Sequence, residues 1–567
     1  MKSTILSRRD LDFLLYEWLD VEKLTTLDRF TEHSRETFDG VLDLCEQLAT
    51  RYFAPHNKLS DANEPTFDGQ AVTLIPDVKE AWDAFAAADL IAMGMDAEIG
   101  GAQLPATVAQ AAFAWISAAN VSTSGYLMLT IANANLLARF GSAEQIETFV
   151  KPMLAGRFSG TMALSETQAG SSLADITTRA EPQADGSYRL FGSKMWISGA
   201  EHELTENIVN LVLAKIPGGP AGTKGISLFI VPKFLADGTR NGVAISGLNH
   251  KMGQRGITNT VLNFDGAVGY LVGEPHRGIV YMFHMMNEAR LGVGMGAVAL
   301  GYTGYLKSLE YARERPQGRP LGVKDPSTPQ VPIIEHADVK RMLLAQKAYV
   351  EGGLALALYC AKLVDTDDTA VLDILTPVAK SWPSQWCVEA NSLAIQVHGG
   401  YGYTREYDVE QHYRDNRLNP IHEGTHGIQS LDLLGRKVTQ NGGASLAALT
   451  ERISATVAKA GDDPLAAQLE ASWQRLVTVT ADMFASGDIE AAMANSAIYL
   501  EAFGHIVIAW IWLEQYLTAG DQSGDFYEGK RRAARFFFRY ELPKTAAQLD
   551  LLASMDRTTL EMQDNWF

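Results

Sequence analysis

The chain has 567 residues, 47% of them hydrophobic and 20% charged, an ordinary globular composition that excludes a wholly disordered chain. Domains usually run to about 100–200 residues, so three or four are expected here. With 48 Lys and Arg against 67 Asp and Glu, the formal charge is −19. That summed field repels polyanions, which argues against nucleic acid as a partner. Any anionic ligand has to be met by local Arg and Lys.

Along the chain, the first residues (MKSTILSRRDLDF) show no long apolar stretch after their charges, and no secretory signal is read there. Residues up to about 157 read as helical. RETFDGVLDLCEQLATRYF has apolar residues at mixed three and four spacing, which predicts an amphipathic helix. QAAFAWISAANVSTSGYLMLTIANANLLARFG is more apolar and predicts two helices buried in a bundle. From about Gly160 the period changes. TMALS, YRLFGSKMWISG, NIVNLVLAKI, GISLFIVPKF and TVLNFDGA are short runs rich in β-branched and aromatic residues, separated by turn signals such as ADGS and ADGTRNG. A β-domain ending near Gly273 is expected.

Helical periodicity returns at Gly278 and continues to about Val438, and QNGGAS then closes that part. The remainder predicts a further helical module with a basic and aromatic stretch, KRRAARFFFRYELPK. The expected segments are 1–157, 158–275, 276–440 and 445–567. The most apolar stretch, Ala497 to Leu517, contains Glu501 and His505 and predicts a buried helix, not an integral membrane span. Cys45, Cys360 and Cys387 are odd in number, far apart and without CxxC spacing. They predict small buried apolar residues in a reducing, cytoplasmic setting, without disulfides.

The chemistry-bearing segments are MALSETQAGSS (162–172), KMWIS (194–198), KMGQRG (251–256), YARERPQGRP (311–320), QVHGGYGYTREYDVEQHYRD (396–415) and NPIHEGTHGIQ (419–429). Each alone reads equally as a strand, a loop or a solvated helix face. In this order, on a helix–sheet–helix plan, they resemble the signatures of the acyl-CoA dehydrogenase family. The resemblance covers roughly residues 35–440. The length and the segment GAEHELTENIVNLVLAKIPGGPAGTKGISLFIVPKF are similar to the longer bacterial branch, which includes the 3-methylmercaptopropionyl-CoA dehydrogenases and carries an added C-terminal helical domain.

The resemblance implies a mainly α fold: a helical domain, a β-barrel-like domain, a four-helix bundle and an extra C-terminal helical domain. It implies FAD between the β-domain and the bundle. Met162, Leu164 and Ser165 face the flavin's pyrimidine side, Trp196 packs near the ring, Ser198 lies near N5 and Ser171 approaches the pyrophosphate. Arg315, Gln396 and Gly400 match positions for the ADP part, partly from a second subunit, so at least a homodimer is implied. Thr425 also touches the cofactor. The substrate implied is an acyl-CoA and the electron acceptor is electron-transfer flavoprotein, with an oxidase as the alternative.

Glu423 matches the base that removes the α-proton, and Arg290 matches the arginine near substrate and base. The chemistry accounts for these residue types. An α-proton is weakly acidic, so a desolvated carboxylate must sit within reach, and fixed donors must hold the developing enolate charge. In the family those donors are the base's own N–H and a flavin ribityl hydroxyl. Gly424 suits a close approach of backbone to ligand. A bundle ion pair between Arg290 and Glu288 is the bland alternative, and Glu288 is a reserve base because a minority of the family places it on that helix.

The sequence departs from the family pattern at His422, where tyrosine is usual, at Ser165–Gln168 in place of Thr-Glu-Pro-Gly, and at Ser172 in place of Asp. His422-Glu423-Gly424-Thr425-His426 also spells HExxH, a zinc-hydrolase pattern that needs one continuous helix and a third ligand such as Glu451. Pro420 and Gly424 weaken that helix, and no metal is expected. Gly292–Gly296 resembles a dinucleotide loop, but it follows a helical pattern, so helix packing is expected. Lys530, Arg531 and Arg532, with Arg535 and Arg539, are expected at a subunit interface or on a solvated face. Ser122, Ser124, Gly125, Leu127 and Met128 line either an acyl-chain tunnel or ordinary helix packing.

Overall fold

The computed structural model describes residues 3–567, which divide into two compact units, residues 25–292 and the remainder, up to residue 24 and from 293 to 567.

The first unit opens with helices. α1 (Arg35–Leu48) begins at a capping box: the Ser34 and Thr37 side chains each bond the other's backbone N–H. Its apolar positions Phe38, Leu42, Cys45 and Leu48 are all buried, as the spacing predicts. α2 (Pro76–Ala87) starts with proline, whose missing N–H costs nothing at a helix start. The long apolar stretch is split into α3 (Ala106–Ala119) and α4 (Val121–Phe140) at Asn120. Asn120 is extended, and its side chain accepts from Thr123 N at 3.0 Å.

Seven strands follow: β1 (Phe158–Ala163), β2 (Arg179–Pro182), β3 (Tyr188–Ser198), β4 (Asn207–Lys215), β5 (Ile226–Pro232), β6 (Val243–Leu248) and β7 (Asn259–Leu271). The path β4–β2–β3–β7–β5 closes on itself through a β4–β5 pairing, which makes a small barrel. β1 adds in parallel to β4, and β6 pairs with β7. Leu190, Ile197, Val212, Phe229, Val231, Leu262 and Phe264 fill the interior. Two strands lie outside the sequence expectation. β2 is short, polar and ends in proline, and β6 is partly exposed along its length, so neither carries a strong apolar run.

α5 (Gly278–Glu314) begins in the first unit and continues into the second. In the second unit it is joined by α6 (Ala337–Asp365), α7 (Thr369–His398), α8 (Val409–Asn416) and α9 (His426–Asp432). α10 (Gln440–Ala460) is interrupted by positive φ at Asn441, Gly442 and Gly443, where the sequence predicts a linker. α11 (Pro464–Ala485), α12 (Ser496–Ala519), α13 (Asp525–Phe536) and α14 (Lys544–Ala553) complete the unit.

α12 is long and apolar enough to cross a membrane by length and composition, yet 83% of its most apolar window is buried inside the fold. It is a core helix, as expected. Of the basic stretch, Lys530 is taken up internally, whereas Arg532, Arg535 and Arg539 are exposed on a solvated face. Lys530 is fully buried and pairs with Asp10 and Glu351, and Arg531 and Arg532 both pair with Glu528. Tyr302 donates to Asp10 at 2.9 Å, so the N-terminal helix Arg8–Asp12 is tied to the bundle and to the C-terminal helices. Cys45, Cys360 and Cys387 are free and buried, and burial pushes the Cys45 and Cys360 thiols up to about 12.

Candidate active site

In the first unit, the strand end after β1 is fixed by a buried ion pair. Lys194 Nζ donates to the Leu164 carbonyl and to Glu166 Oε1, both at 2.9 Å. Glu166 also accepts from the N–H and hydroxyl of Thr177 and of Thr178, at 2.6–2.9 Å. Burial by itself raises the Glu166 pKa, but the Lys194 ammonium and these hydrogen bonds outweigh it and hold the carboxyl well below its usual range. Burial in turn pulls Lys194 down to about 8. Ser165 is thereby held between two fixed points, and its carbonyl accepts Met195 N at 2.9 Å.

β3 carries a bulge. Lys194 pairs with Leu262 and Ile197 with Thr260, so Met195 and Trp196 together oppose Val261 alone. Trp196 adopts φ +68, and its side chain is turned outward and 61% exposed. A bulge re-aims side chains in this way, and positive φ at a bulky residue is strained. Ser198 is half-buried, and its hydroxyl accepts from Asn259 at 3.0 Å. Ser171 is exposed on the loop after β1, while Met162 is buried in the strand itself.

Arg290 is buried on the first-unit half of α5, with Nη1 3.4 Å from Asn287 Oδ1. Glu288 turns towards α4, where it accepts from Asn135 at 3.3 Å and lies 3.6 Å from His284. Residues two apart on a helix do not face each other, so the Arg290–Glu288 ion pair is not the arrangement found. Burial pushes the Glu288 carboxyl up to about 7. On α4, Ser122, Ser124 and Leu127 are buried, whereas Gly125 and Met128 are partly open, and the Tyr126 hydroxyl accepts Thr258 N at 2.9 Å.

In the second unit, Glu423 lies in a short loop before α9, at φ +52, followed by Gly424 at φ +88. The positive φ of Gly424 favours glycine, and a Cβ there would come within 2.5 Å of Gln429 Nε2 and displace that amide. The loop is tied down on several sides. Gln429 Nε2 donates to the Glu423 carbonyl at 3.0 Å. Lys380 Nζ donates to the carbonyls of Asn419 (2.8 Å) and Gly424 (2.6 Å). Thr425 caps α9 by accepting Ile428 N at 3.4 Å.

A chain of amides then runs back to the bundle. His422 Nε2 contacts Asn419 Oδ1 at 3.0 Å, Asn419 donates to Asn416, and Asn416 donates to Asn391 and to the Ala297 carbonyl. Since Asn419 Oδ1 can only accept, His422 carries its proton on Nε2. Burial, with the Lys380 ammonium, pushes His422 down to about 3, so the ring is neutral. Sequence reasoning passed over Lys380, Gln429, Asn416 and Asn419. The clustered amides of RDNRLNP were the available signal, because polar residues on a helix end beside a site need partners.

The zinc reading fails on geometry. HExxH needs its histidines one turn apart on a continuous helix, but residues 422–425 are not helical and α9 starts at His426. Among the described residues no group of three His, Cys, Asp or Glu is placed to hold a metal ion. Gly292–Gly296 lies inside α5, as helix packing requires.

Arg315 and Gly400 come together at one groove of about 450 Å³, lined also by Tyr311, Gln317, His398 and Tyr401. The Arg315 guanidinium lies 5.5 Å from the centre of the Tyr401 ring. Gln396 is exposed on the last turn of α7, just before this groove. The site residues thus fall into two sets, one in each unit: Met162, Leu164, Ser165, Ser171, Trp196, Ser198 and Arg290 in the first, and Arg315, Gln396, Gly400, Glu423 and Thr425 in the second.

Four family models match the chain in order: acyl-CoA dehydrogenase N-terminal domain (39–157), middle domain (161–267) and C-terminal domain (276–438), then acetyl-CoA dehydrogenase C-terminal like (449–563). The chain is 36% identical to 3-methylmercaptopropionyl-CoA dehydrogenase of Ruegeria pomeroyi, over 95% of this chain and 96% of that one. It is 33% identical to the broad-specificity linear acyl-CoA dehydrogenase FadE5 of Mycobacterium tuberculosis, over 99% of both. In fold it is similar to an acyl-CoA dehydrogenase from Bacillus anthracis complexed with FAD (TM-score 0.74, 20% identity, 94% of this chain and 90% of that one). It is also similar to ACDH-11 of Caenorhabditis elegans in complex with C11-CoA (TM-score 0.76, 17% identity, 94% and 91%). With relatives of this identity aligned over nearly its whole length, the chain belongs to the acyl-CoA dehydrogenase family of oxidoreductases.

Proposed function

We propose that the protein catalyses FAD-dependent α,β-dehydrogenation of an acyl-CoA to the trans-2-enoyl-CoA, with Glu423 as the base. The observation that carries this reading is the Glu423 loop. A non-glycine residue at positive φ is held by Gln429, Lys380 and the amide chain, which is how a fold fixes a carboxylate in one place. The residues present fit FAD. An exposed, bulge-borne Trp196 beside Ser198 offers an aromatic face and a hydroxyl to a ring system. Arg315 over Tyr401 in an open groove with Gly400 offers charge and close backbone approach to a phosphate and an adenine.

When bound, FAD supplies the acceptor for the hydride that leaves the β-carbon. Glu423 takes the α-proton onto its carboxylate, and its main-chain N–H steadies the thioester oxygen as charge develops there. Arg290 supplies positive charge beside substrate and base. Met162, Leu164, Ser165, Ser171, Trp196, Ser198 and Thr425 orient the flavin. Arg315, Gln396 and Gly400 hold the ADP part, in part from a second copy of the chain, so the working form is at least a homodimer. The segments 1–157, 158–275, 276–440 and 445–567 serve as helical, flavin-contacting, base-bearing and added helical domains. Electrons pass to electron-transfer flavoprotein, in the cytoplasm.

The relatives named for 3-methylmercaptopropionyl-CoA, linear acyl-CoA and butyryl-CoA make short unbranched acyl-CoAs the first substrates to try. The test is an anaerobic absorbance titration of the purified protein with acyl-CoAs from short to long. Bleaching of the flavin band by one chain class, lost in Glu423→Gln, is the expected result. A protein that takes up no FAD, or a Glu423→Gln variant that bleaches at the normal rate, overturns the reading.

A further inference from the structure

We infer that Lys380 is a positioning residue for the base: its ammonium clamps both sides of the loop that displays Glu423, and this rests on Glu423 being that base. The side chain is 0% exposed and rises from the middle of α7. Its Nζ donates to the carbonyl of Asn419, four residues before Glu423, and to that of Gly424, immediately after it. A buried ammonium is costly unless its N–H groups are satisfied, so the loop and the lysine fix each other. With Glu423 at positive φ and Gly424 likewise, the loop has few other ways to close.

α7 is built around this residue. Pro377 and Pro383 both lie inside the helix, on either side of Lys380. Pro383 has no N–H, which leaves the Ala379 carbonyl without its helical partner. Gly294 of α5 packs directly on that carbonyl: a Cβ there would come within 2.0 Å of Ala379 O. Ser384 Oγ donates to the Lys380 carbonyl at 2.5 Å. The backbone that aims Lys380 is therefore set by two prolines, a close helix crossing and a hydroxyl. Its positive charge also reaches the loop, since it adds to burial in lowering both His422 and His426.

The experiment uses the flavin-loaded enzyme in the anaerobic half-reaction, with acyl-CoA carrying hydrogen or deuterium at the α-carbon. Lys380→Met is expected to keep its flavin spectrum and its KM, while the bleaching rate falls about 10–100-fold, the range for a misplaced catalytic group. The α-deuterium isotope effect should grow, because proton removal becomes more limiting. Lys380→Gln, which keeps a donor, should recover part of the rate, and it carries the test if Lys380→Met does not fold. An unchanged rate and isotope effect overturn the inference. So does a rate loss that follows flavin loss with no change in isotope effect, since that is the behaviour of a merely structural lysine. Glu423→Gln is run alongside. If that variant bleaches normally, it is the base assignment that fails, not the clamp alone.

Discussion

Two loops in different units solve the same mechanical problem with the same device. In the barrel, Lys194 reaches the Leu164 carbonyl, and Trp196, two residues on, stands at φ +68. In the helical unit, Lys380 reaches the carbonyls of Asn419 and Gly424, and Glu423 between them stands at φ +52. Both display a candidate site residue from a strained backbone, and in both a buried ammonium on main-chain oxygens helps hold the strain. They differ in what the ammonium holds. Lys194 has Glu166 beside it, buried and saturated with donors, so that loop is locked for stability as much as for display. Lys380 places two hydrogen bonds on the backbone of the loop it holds, so its loss is expected to fall first on the position of the proposed base, Glu423.

The sharpest way to break this comparison is Glu423→Gln. Loss of a positioned base removes a factor of about 10²–10⁴ from the rate. A half-reaction rate down by about 10³-fold, with flavin content and melting temperature unchanged, is the expected outcome in stopped-flow absorbance. Any large drop in melting temperature would mean that Glu423 supports the loop rather than the chemistry.

Next is Lys194→Met, which leaves Glu166 buried without its cation. Breaking a buried pair in this way costs about 3–5 kcal/mol. Denaturant unfolding should show that loss together with poor FAD retention. The double variant Glu166→Gln/Lys194→Met should recover most of it, because no charge is then stranded. A single variant as stable as the parent would end the parallel with Lys380, whose removal is expected to act mainly on rate.

Acid is a milder probe of both units. Burial holds His202, His412 and His422 down to about 3 and His426 down to about 4. In the unfolded chain each titrates near 6.5, so between about pH 6.5 and 3 the unfolded state binds more protons. Stability contributed by these neutral rings is thus complete above pH 6.5 and drains away as pH falls towards 3. Glu166, depressed in the folded state, adds a loss of the same sign at still lower pH. Thermal melts at stepped pH should fall steadily below about 6.5, and a flat profile from 7 to 4 contradicts the neutral assignment of His422.

The smallest effect expected is that of His422→Phe, which cuts the amide chain at the loop while leaving Lys380 and Gln429 in place. One hydrogen bond is worth about 1 kcal/mol, so a rate loss within about tenfold is expected in the same half-reaction assay. A loss as large as that of Lys380→Met would show that the amide chain, and not the lysine, is the principal hold on Glu423.

The motifs of the candidate site were legible in the residues because they are written locally. Glu423-Gly424-Thr425, KMWIS and MALSE are contiguous, and the change from helical to alternating apolar period marks the barrel. α1 and the split between α3 and α4 follow from spacing and from an asparagine cap. β2 and β6 were not legible, since a short or half-exposed strand owes its existence to its neighbours' edges more than to its own residues. The Arg290–Glu288 pairing was undecided by sequence, and helix geometry settles it by turning the two to different faces.

What the sequence by itself determined is the order of elements, the candidates for the reactive groups and the glycines that let the backbone turn beside them. These depend on residue type and short-range spacing alone. What only the tertiary structure decided is which distant groups hold the reactive ones. Lys380 finds Gly424, Asn391 finds Asn416, and Lys530 at one end of the chain finds Asp10 at the other. Buried charges and amides must be satisfied by whatever the fold brings within hydrogen-bond reach, and no periodicity records that partner in advance.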